Sequence, residues 1–148
     1  MTGVARVPSA AGLPAAASTD PVLGVRGAGI TYEGASTAAP VSATFQVRPG
    51  EVLLLLGPSG CGKSTLALAL NGLVPQAVPA DVTGEILVGE WDTRTTPVST
   101  LSTRVAMVFQ DPDAQLVTGT LFDEVAFGPE NLKLPVAEIL TRTEDSLR

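Results

Sequence analysis

From Val22 onward the chain is built of short apolar segments whose spacing changes from element to element. The stretches VLGVRGAGITY and VSATFQV alternate. In residues 41–47, Val41, Ala43, Phe45 and Val47 share one face while Ser42, Thr44 and Gln46 share the other, which predicts a half-buried antiparallel strand. Arg48-Pro49-Gly50-Glu51 follows as a tight-turn signal, because proline fixes φ and glycine tolerates a positive φ. Val52–Leu56 is apolar at every position, as expected of a central strand of a parallel sheet covered on both faces. Residues 63–71 contain neither Pro nor Gly and predict a helix closed by Gly72, with Pro75 beyond. Residues 83–88, with Gly84 inside and Gly89 after them, predict a further strand. Residues 105–109 (VAMVF) predict a second central one. Residues 120–132 and 135–148 read as helices, the second with Ala137, Ile139, Leu140 and Leu147 as its apolar members.

The N-terminal twenty residues break this pattern. Pro8 and Pro14 interrupt an Ala-rich stretch too small in side-chain volume to offset the entropy of ordering it, so residues 1–20 are expected to be a disordered leader outside the fold. That leaves residues 21–148 as one domain. No apolar run approaches the roughly 18 residues that a membrane-spanning helix needs.

Composition removes several chemistries. The chain has no His and a single Cys, so a histidine triad, a zinc cluster and a disulfide framework are all excluded, and a lone thiol suits a reducing cytoplasm. A net charge of −6 argues against nucleic acid as a partner, because phosphates need Lys and Arg opposite them. The acidic excess is concentrated in residues 110–148, where it reads as a solvated helical face.

The strongest chemical signal is Gly57-Pro58-Ser59-Gly60-Cys61-Gly62-Lys63-Ser64-Thr65, which satisfies G-x-x-x-x-G-K-[ST] between an apolar strand and a helix. The glycines allow successive main-chain N–H groups to turn inward around a phosphate, and the helix start adds its positive dipole end. Lys63 can reach the β- and γ-phosphates of ATP as a mobile point charge, and the Ser64 hydroxyl can ligate Mg²⁺. Cys61 lies inside the loop near a helix start, where thiols gain reactivity, although a small residue there also serves simply to fill space.

With those residues in place, GITYEG at residues 29–34, PGEVLLLLGPSGCGKSTL at 49–66 and VFQDPDAQL at 108–116 together resemble the opening half of an ATP-binding-cassette (ABC) ATPase. The resemblance implies an α/β P-loop NTPase fold of the ABC ATPase type, with an antiparallel β subdomain and part of a RecA-like parallel core. It implies that Tyr32 stacks on adenine, that residues 57–65 hold the phosphates, and that Gln110, ending a strand, touches Mg²⁺ and the attacking water beside Lys63. From the residues alone, Tyr32 is equally a surface aromatic; Gln110 reads as a polar strand cap or, from its place directly after residues 105–109, as a residue at the ligand-binding edge of an α/β sheet. Asp111 and Asp113 read as loop-capping residues, and no Walker B carboxylate stands in VAMVFQD.

FQDPDAQLVTGTLFDEVAFGPENL is further similar to the Q-loop region of energy-coupling-factor importers for vitamins and transition-metal ions, and of importers for thiamine precursors. This resemblance implies an ATP-binding subunit that energises solute uptake at the inner face of the cell membrane. Gln115, Leu116, Phe122, Val125 and Phe127 would contact integral membrane subunits, with Phe122 and Phe127 alternatively in the core. It also implies a second ATPase subunit in a head-to-tail dimer. The signature motif, the strand of four apolar residues ending in Asp-Glu and the switch histidine of the family do not occur within the 148 residues, so the chain is expected to be the N-terminal portion of a longer cassette that does not hydrolyse ATP alone. Central strand edges would then face an empty gap. Two other readings stay open: a nucleotide-binding module without catalysis, and a P-loop small-molecule kinase whose lid would have to come from Arg94, Arg104, Arg142 and Arg148.

Overall fold

The computed structural model describes the backbone of Gly3–Val7 together with residues 20–111 and 115–148. These form two compact units, Met1–Met107 and Val108–Arg148. The expectation for Asp113 falls outside the described residues, as does most of that for the leader.

The first unit contains β1 (Gly3–Val7), β2 (Leu23–Tyr32), β3 (Ala43–Val47), β4 (Val52–Leu56), α1 (Lys63–Leu70), α2 (Leu73–Gln76), β5 (Ala80–Val88), β6 (Trp91–Asp92) and α3 (Val98–Leu101). A four-stranded sheet runs in the order β3-β2-β5-β6, and β1 and β4 form a separate two-stranded sheet. Every ladder among the described residues is antiparallel. The turn before β4 forms as its sequence predicts: Glu51 N donates to Arg48 O (3.0 Å), Arg48 N donates to the Glu51 carboxylate (2.8 Å), and Gly50 takes φ +74°.

The core joins the four-stranded sheet to α1. Val25, Ala28 and Ile30 of β2, Ala43 and Phe45 of β3, and Ile86 of β5 close on Leu66 and Ala69 of α1 and on Val74. Leu66 and Ala69 lie three apart, so one helical stripe faces the sheet. Burying side chains such as Ile30 and Leu66 contributes about 1.5–3 kcal/mol each. Strict alternation along β2 would bury Val25 with Gly27. A register shift between Val25 and Ala28 instead carries Ala28 and Ile30 to the core face.

Four expectations are corrected. First, Gly3–Val7 is not disordered: it forms β1, paired with β4 from Gly3↔Leu56 to Val7↔Val52. Small residues cannot fill a core, but their backbone can still satisfy an open strand edge. Second, β4 is not open at both edges: β1 takes one, and the other has no partner among the described strands. It is not buried on both faces either: Leu53 and Leu55 pack toward the core, while Val52, Leu54 and Leu56 are 54%, 47% and 50% exposed. Third, residues 105–109 form no strand, and Val108 is 90% exposed. An apolar run becomes a central strand only where neighbours take its main-chain groups, and none of the described strands does so. Fourth, Val41 lies outside β3 and is exposed, since pairing with β2 begins at Ala43.

The second unit is a helical pair, α4 (Leu121–Asn131) and α5 (Val136–Ser146). Both match their predicted spans within a few residues. Ala126 of α4 is buried; on α5 it is Thr143 that is buried, while Leu140 and Leu147 stay exposed.

Candidate functional site

The segment connecting β4 to α1 is held by its own lysine. Lys63 Nζ donates to the carbonyls of Gly57 (2.9 Å) and Pro58 (2.8 Å) and approaches Cys61 Sγ at 3.6 Å. Within this ring Cys61 N donates to Pro58 O at 3.4 Å. Gly60 and Gly62 take φ +79° and +94°, a left-handed region in which a Cβ would be strained. Gly62 is the N-cap of α1, and its carbonyl receives the first helical bond, from Leu66 N at 2.8 Å.

The helix start itself is left open. No side chain caps it, and no acidic residue stands in its first turn. The first N–H groups of a helix have no partner within it, so an uncapped start presents donors and a positive dipole end to an anion. The contrast with α4 is direct: there Thr120 Oγ1 accepts from Asp123 N (3.1 Å) and the first turn carries Asp123 and Glu124. The residues of one helix start supply their own anions, whereas α1 leaves room for a foreign one. Residues 57–60 are exposed, and Ser64, in the first turn, is exposed too.

Mg²⁺ fits this arrangement only as a phosphate-borne ion. The Ser64 hydroxyl is accessible, and no group of three or more His, Cys, Asp or Glu capable of holding a metal occurs among the described residues. Mg²⁺ commonly binds through few protein ligands plus phosphate oxygens and water. Three carboxylates of the first unit stand in ion pairs: Glu85 with Arg26 (2.8 Å), Asp92 with Arg94 (2.7 Å) and Glu90 with Arg104 (3.2 Å). The Arg94 guanidinium holds the Asp92 carboxyl below its ordinary range through side-chain hydrogen bonding.

Tyr32 ends β2, half-buried and packed on the core beside Ala80 of β5. Gln110 belongs to the second unit, where it is exposed in a bend rather than ending a strand. Gln115 folds that bend by donating from Nε2 to the carbonyls of Phe109 (3.5 Å) and Asp111 (3.3 Å). Leu116, Phe122 and Phe127 are exposed and Val125 is half-buried, so neither Phe lies in a closed core. The four arginines that a kinase lid would require each sit against a carboxylate: Arg94, Arg104, Arg142 with Glu138, and Arg148 with Asp145. Arg104 also stacks over Trp91 at 3.7 Å.

Sequence reasoning missed the segment that meets the loop from outside. An ideal Cβ on Gly62 would lie 2.2 Å from Pro40 N and 2.3 Å from the Ala39 carbonyl carbon. No local pattern marks residues 39–41 for that role, because the contact depends on how β2 and β3 are joined.

A glycine-bent loop, delivered by a strand into an uncapped helix that carries an inward-folded lysine, defines a P-loop domain of the α/β type. Comparison narrows the class: the ABC transporter family matches residues 41–146, and the chain belongs to that family. It is 40% identical over 124 residues to a protein of Saccharolobus solfataricus named "Putative ABC transporter ATP-binding protein", covering 84% of this chain and 23% of that one. Similarly named proteins of Methanosarcina mazei and Pyrococcus horikoshii are 46% and 44% identical over 104 residues, 70% of this chain and 18% and 37% of theirs. The chain thus spans between about a fifth and a third of the length of these curated relatives. No solved structure matches it significantly. No described helix is long and apolar enough to cross a membrane.

Proposed function

We propose that this chain binds Mg-ATP as part of the ATP-binding subunit of an ABC importer, working at the inner face of the cell membrane with integral membrane subunits. The observation that carries the reading is the α1 start: uncapped, free of acidic side chains, and joined to a loop in which Lys63 folds back onto the Gly57 and Pro58 carbonyls. Residues 57–65 hold the phosphates through main-chain N–H groups, and Lys63 exchanges its carbonyl partners for phosphate oxygens. Mg²⁺, when bound, neutralises phosphate charge; Ser64 is the residue of the first unit that would hold it. Tyr32 stacks on the base.

Turnover needs a carboxylate to orient water, and the residue that follows the apolar run 105–109 is Gln110, not an acid, which favours binding without hydrolysis by these residues alone. Hydrolysis then depends on groups brought by the complete cassette and by a second ATPase subunit. The importer class, and a vitamin, thiamine precursor or metal ion as cargo, rest on the FQDPDAQL and EVAFGPENL segments. Membrane subunits would meet Gln115, Leu116, Phe122, Val125 and Phe127, of which Leu116, Phe122 and Phe127 offer exposed apolar surface.

Calorimetric titration of the chain with Mg-ATP tests the binding reading. Saturable binding that weakens by about a hundredfold in Lys63→Ala is expected; the same affinity in both proteins removes the phosphate-loop assignment.

A further inference from the structure

We propose that the turn at residues 39–41 is a strut that sets the conformation of the phosphate loop, with Ala39 and Pro40 as positioning residues that do not themselves touch the nucleotide. The inference rests on the reading of residues 57–65 as the phosphate site.

The turn is wedged between two glycines from different parts of the unit. On one side, a Cβ added to Gly62 would meet Pro40 N at 2.2 Å and the Ala39 carbonyl carbon and oxygen at 2.3 and 2.5 Å. On the other, a Cβ added to Gly29 of β2 would meet Val41 O at 2.7 Å. The turn is anchored to β2 by two main-chain bonds at one core residue: Ala39 N donates to Ile30 O (2.8 Å) and Ile30 N donates to Pro40 O (3.1 Å). Ile30 is fully packed in the core, and Pro40 is itself buried. A rigid core strand therefore reaches the loop backbone through one short turn.

The contact falls at the residue where displacement has most effect. Gly62 is the N-cap of α1 at φ +94°, so its torsions fix how the preceding loop amides and the first-turn amides converge. Gly60, two residues earlier and also at positive φ, has nothing within 4 Å of a Cβ. The loop is thus open at Gly60 and braced at Gly62. An anion site made of main-chain donors gains affinity from being held in its binding shape beforehand, and a misplacement near 1 Å is enough to lose much of it. Tyr32 lies two residues beyond Ile30 on the same strand, so the strand proposed to carry the base contact also carries the strut.

The test compares Mg-ATP with Mg-tripolyphosphate, which has the phosphates without the base, in calorimetric titrations of the 148-residue chain at a temperature where circular dichroism finds each variant folded. Pro40→Gly loosens the strut and should weaken both ligands by about tenfold, leaving their ratio unchanged. Ala39→Gly loosens it without adding an N–H and should act in the same direction. Tyr32→Ala should weaken Mg-ATP alone. If either glycine variant, folded by dichroism, binds tripolyphosphate as the wild type does, the strut is overturned while the phosphate site stands. If the wild type binds neither ligand, the site reading falls and the strut with it.

Discussion

The ammonium of Lys63 sits 2.9 Å from the carbonyl oxygen of Gly57, six residues back along the chain, and so closes the β4–α1 connection into a ring. Gly57 and Pro58 are exposed, so water can replace the lysine at both carbonyls at small cost. The ring therefore stores a cation at the loop without tying it down. A phosphate competes on favourable terms, since charge-assisted bonds are about twice as strong as those to a neutral carbonyl.

Lys63→Ala separates binding from folding. Mg-ATP affinity should fall by about a hundredfold, corresponding to the loss of roughly 3 kcal/mol of charge-assisted bonding. Thermal stability should change by less than about 1 kcal/mol, because the bonds lost are to solvated carbonyls. Calorimetric titration and a thermal melt of the same sample measure both.

Cys61 reports on occupancy. Its sulfur is half-buried in the loop, 3.6 Å from the ammonium of Lys63. Bound Mg-ATP should slow alkylation by a maleimide, followed by mass spectrometry over time. Equal rates with and without nucleotide would contradict a phosphate at this loop.

Gly62 and Gly60 should differ as alanines even though both have positive φ. Gly60→Ala meets open space and bears only the left-handed penalty of about 1–2 kcal/mol. Gly62→Ala adds overlap with the Ala39–Pro40 main chain and should cost about 3 kcal/mol or more. Chemical denaturation of the two variants under one set of conditions provides the comparison.

The start of α4 should be acid-sensitive. One oxygen of Glu124 accepts from Val117 N (3.0 Å), Thr118 N (2.8 Å) and Thr118 Oγ1 (2.9 Å), and these bonds, Thr118 N foremost, hold its carboxyl below the ordinary glutamate value. A depressed folded-state pKa means that the stabilisation is complete above the unfolded value and is lost as pH falls through the folded one. Glu124→Gln should therefore flatten the acid limb of a helicity-against-pH curve. An unchanged limb would mean that this turn does not respond to Glu124 ionisation.

Leu66→Ala should destabilise the first unit by about 2–5 kcal/mol, because Leu66 fills the space between α1 and the four-stranded sheet. Nucleotide affinity measured below the melting point should change little. A large loss of affinity there would mean that helix packing, rather than the loop, governs the site.

Much of this was legible along the chain because it depends on near neighbours. The loop from Gly57 to Thr65, the helix after it and the Arg48–Glu51 turn are each specified by residues within a few positions of one another, where torsional preference and short hydrogen bonds decide the outcome. Periodicity also located β2, β3, β5, α4 and α5 to within a few residues. It could not report the register shift in β2, because a bulge appears only when a second strand is counted against the first.

What tertiary structure decided is partnership. Residues 52–56 and 105–109 read alike as buried central strands, yet one pairs with Gly3–Val7 and the other pairs with nothing among the described strands. Apolar content records only that a segment gains by leaving water; which main chain takes its N–H and C=O groups depends on segments far away in sequence. For the same reason the chain could announce its glycine-rich loop, but the wedge of residues 39–41 between Gly29 and Gly62 emerged only once β2 and β3 had been folded against α1.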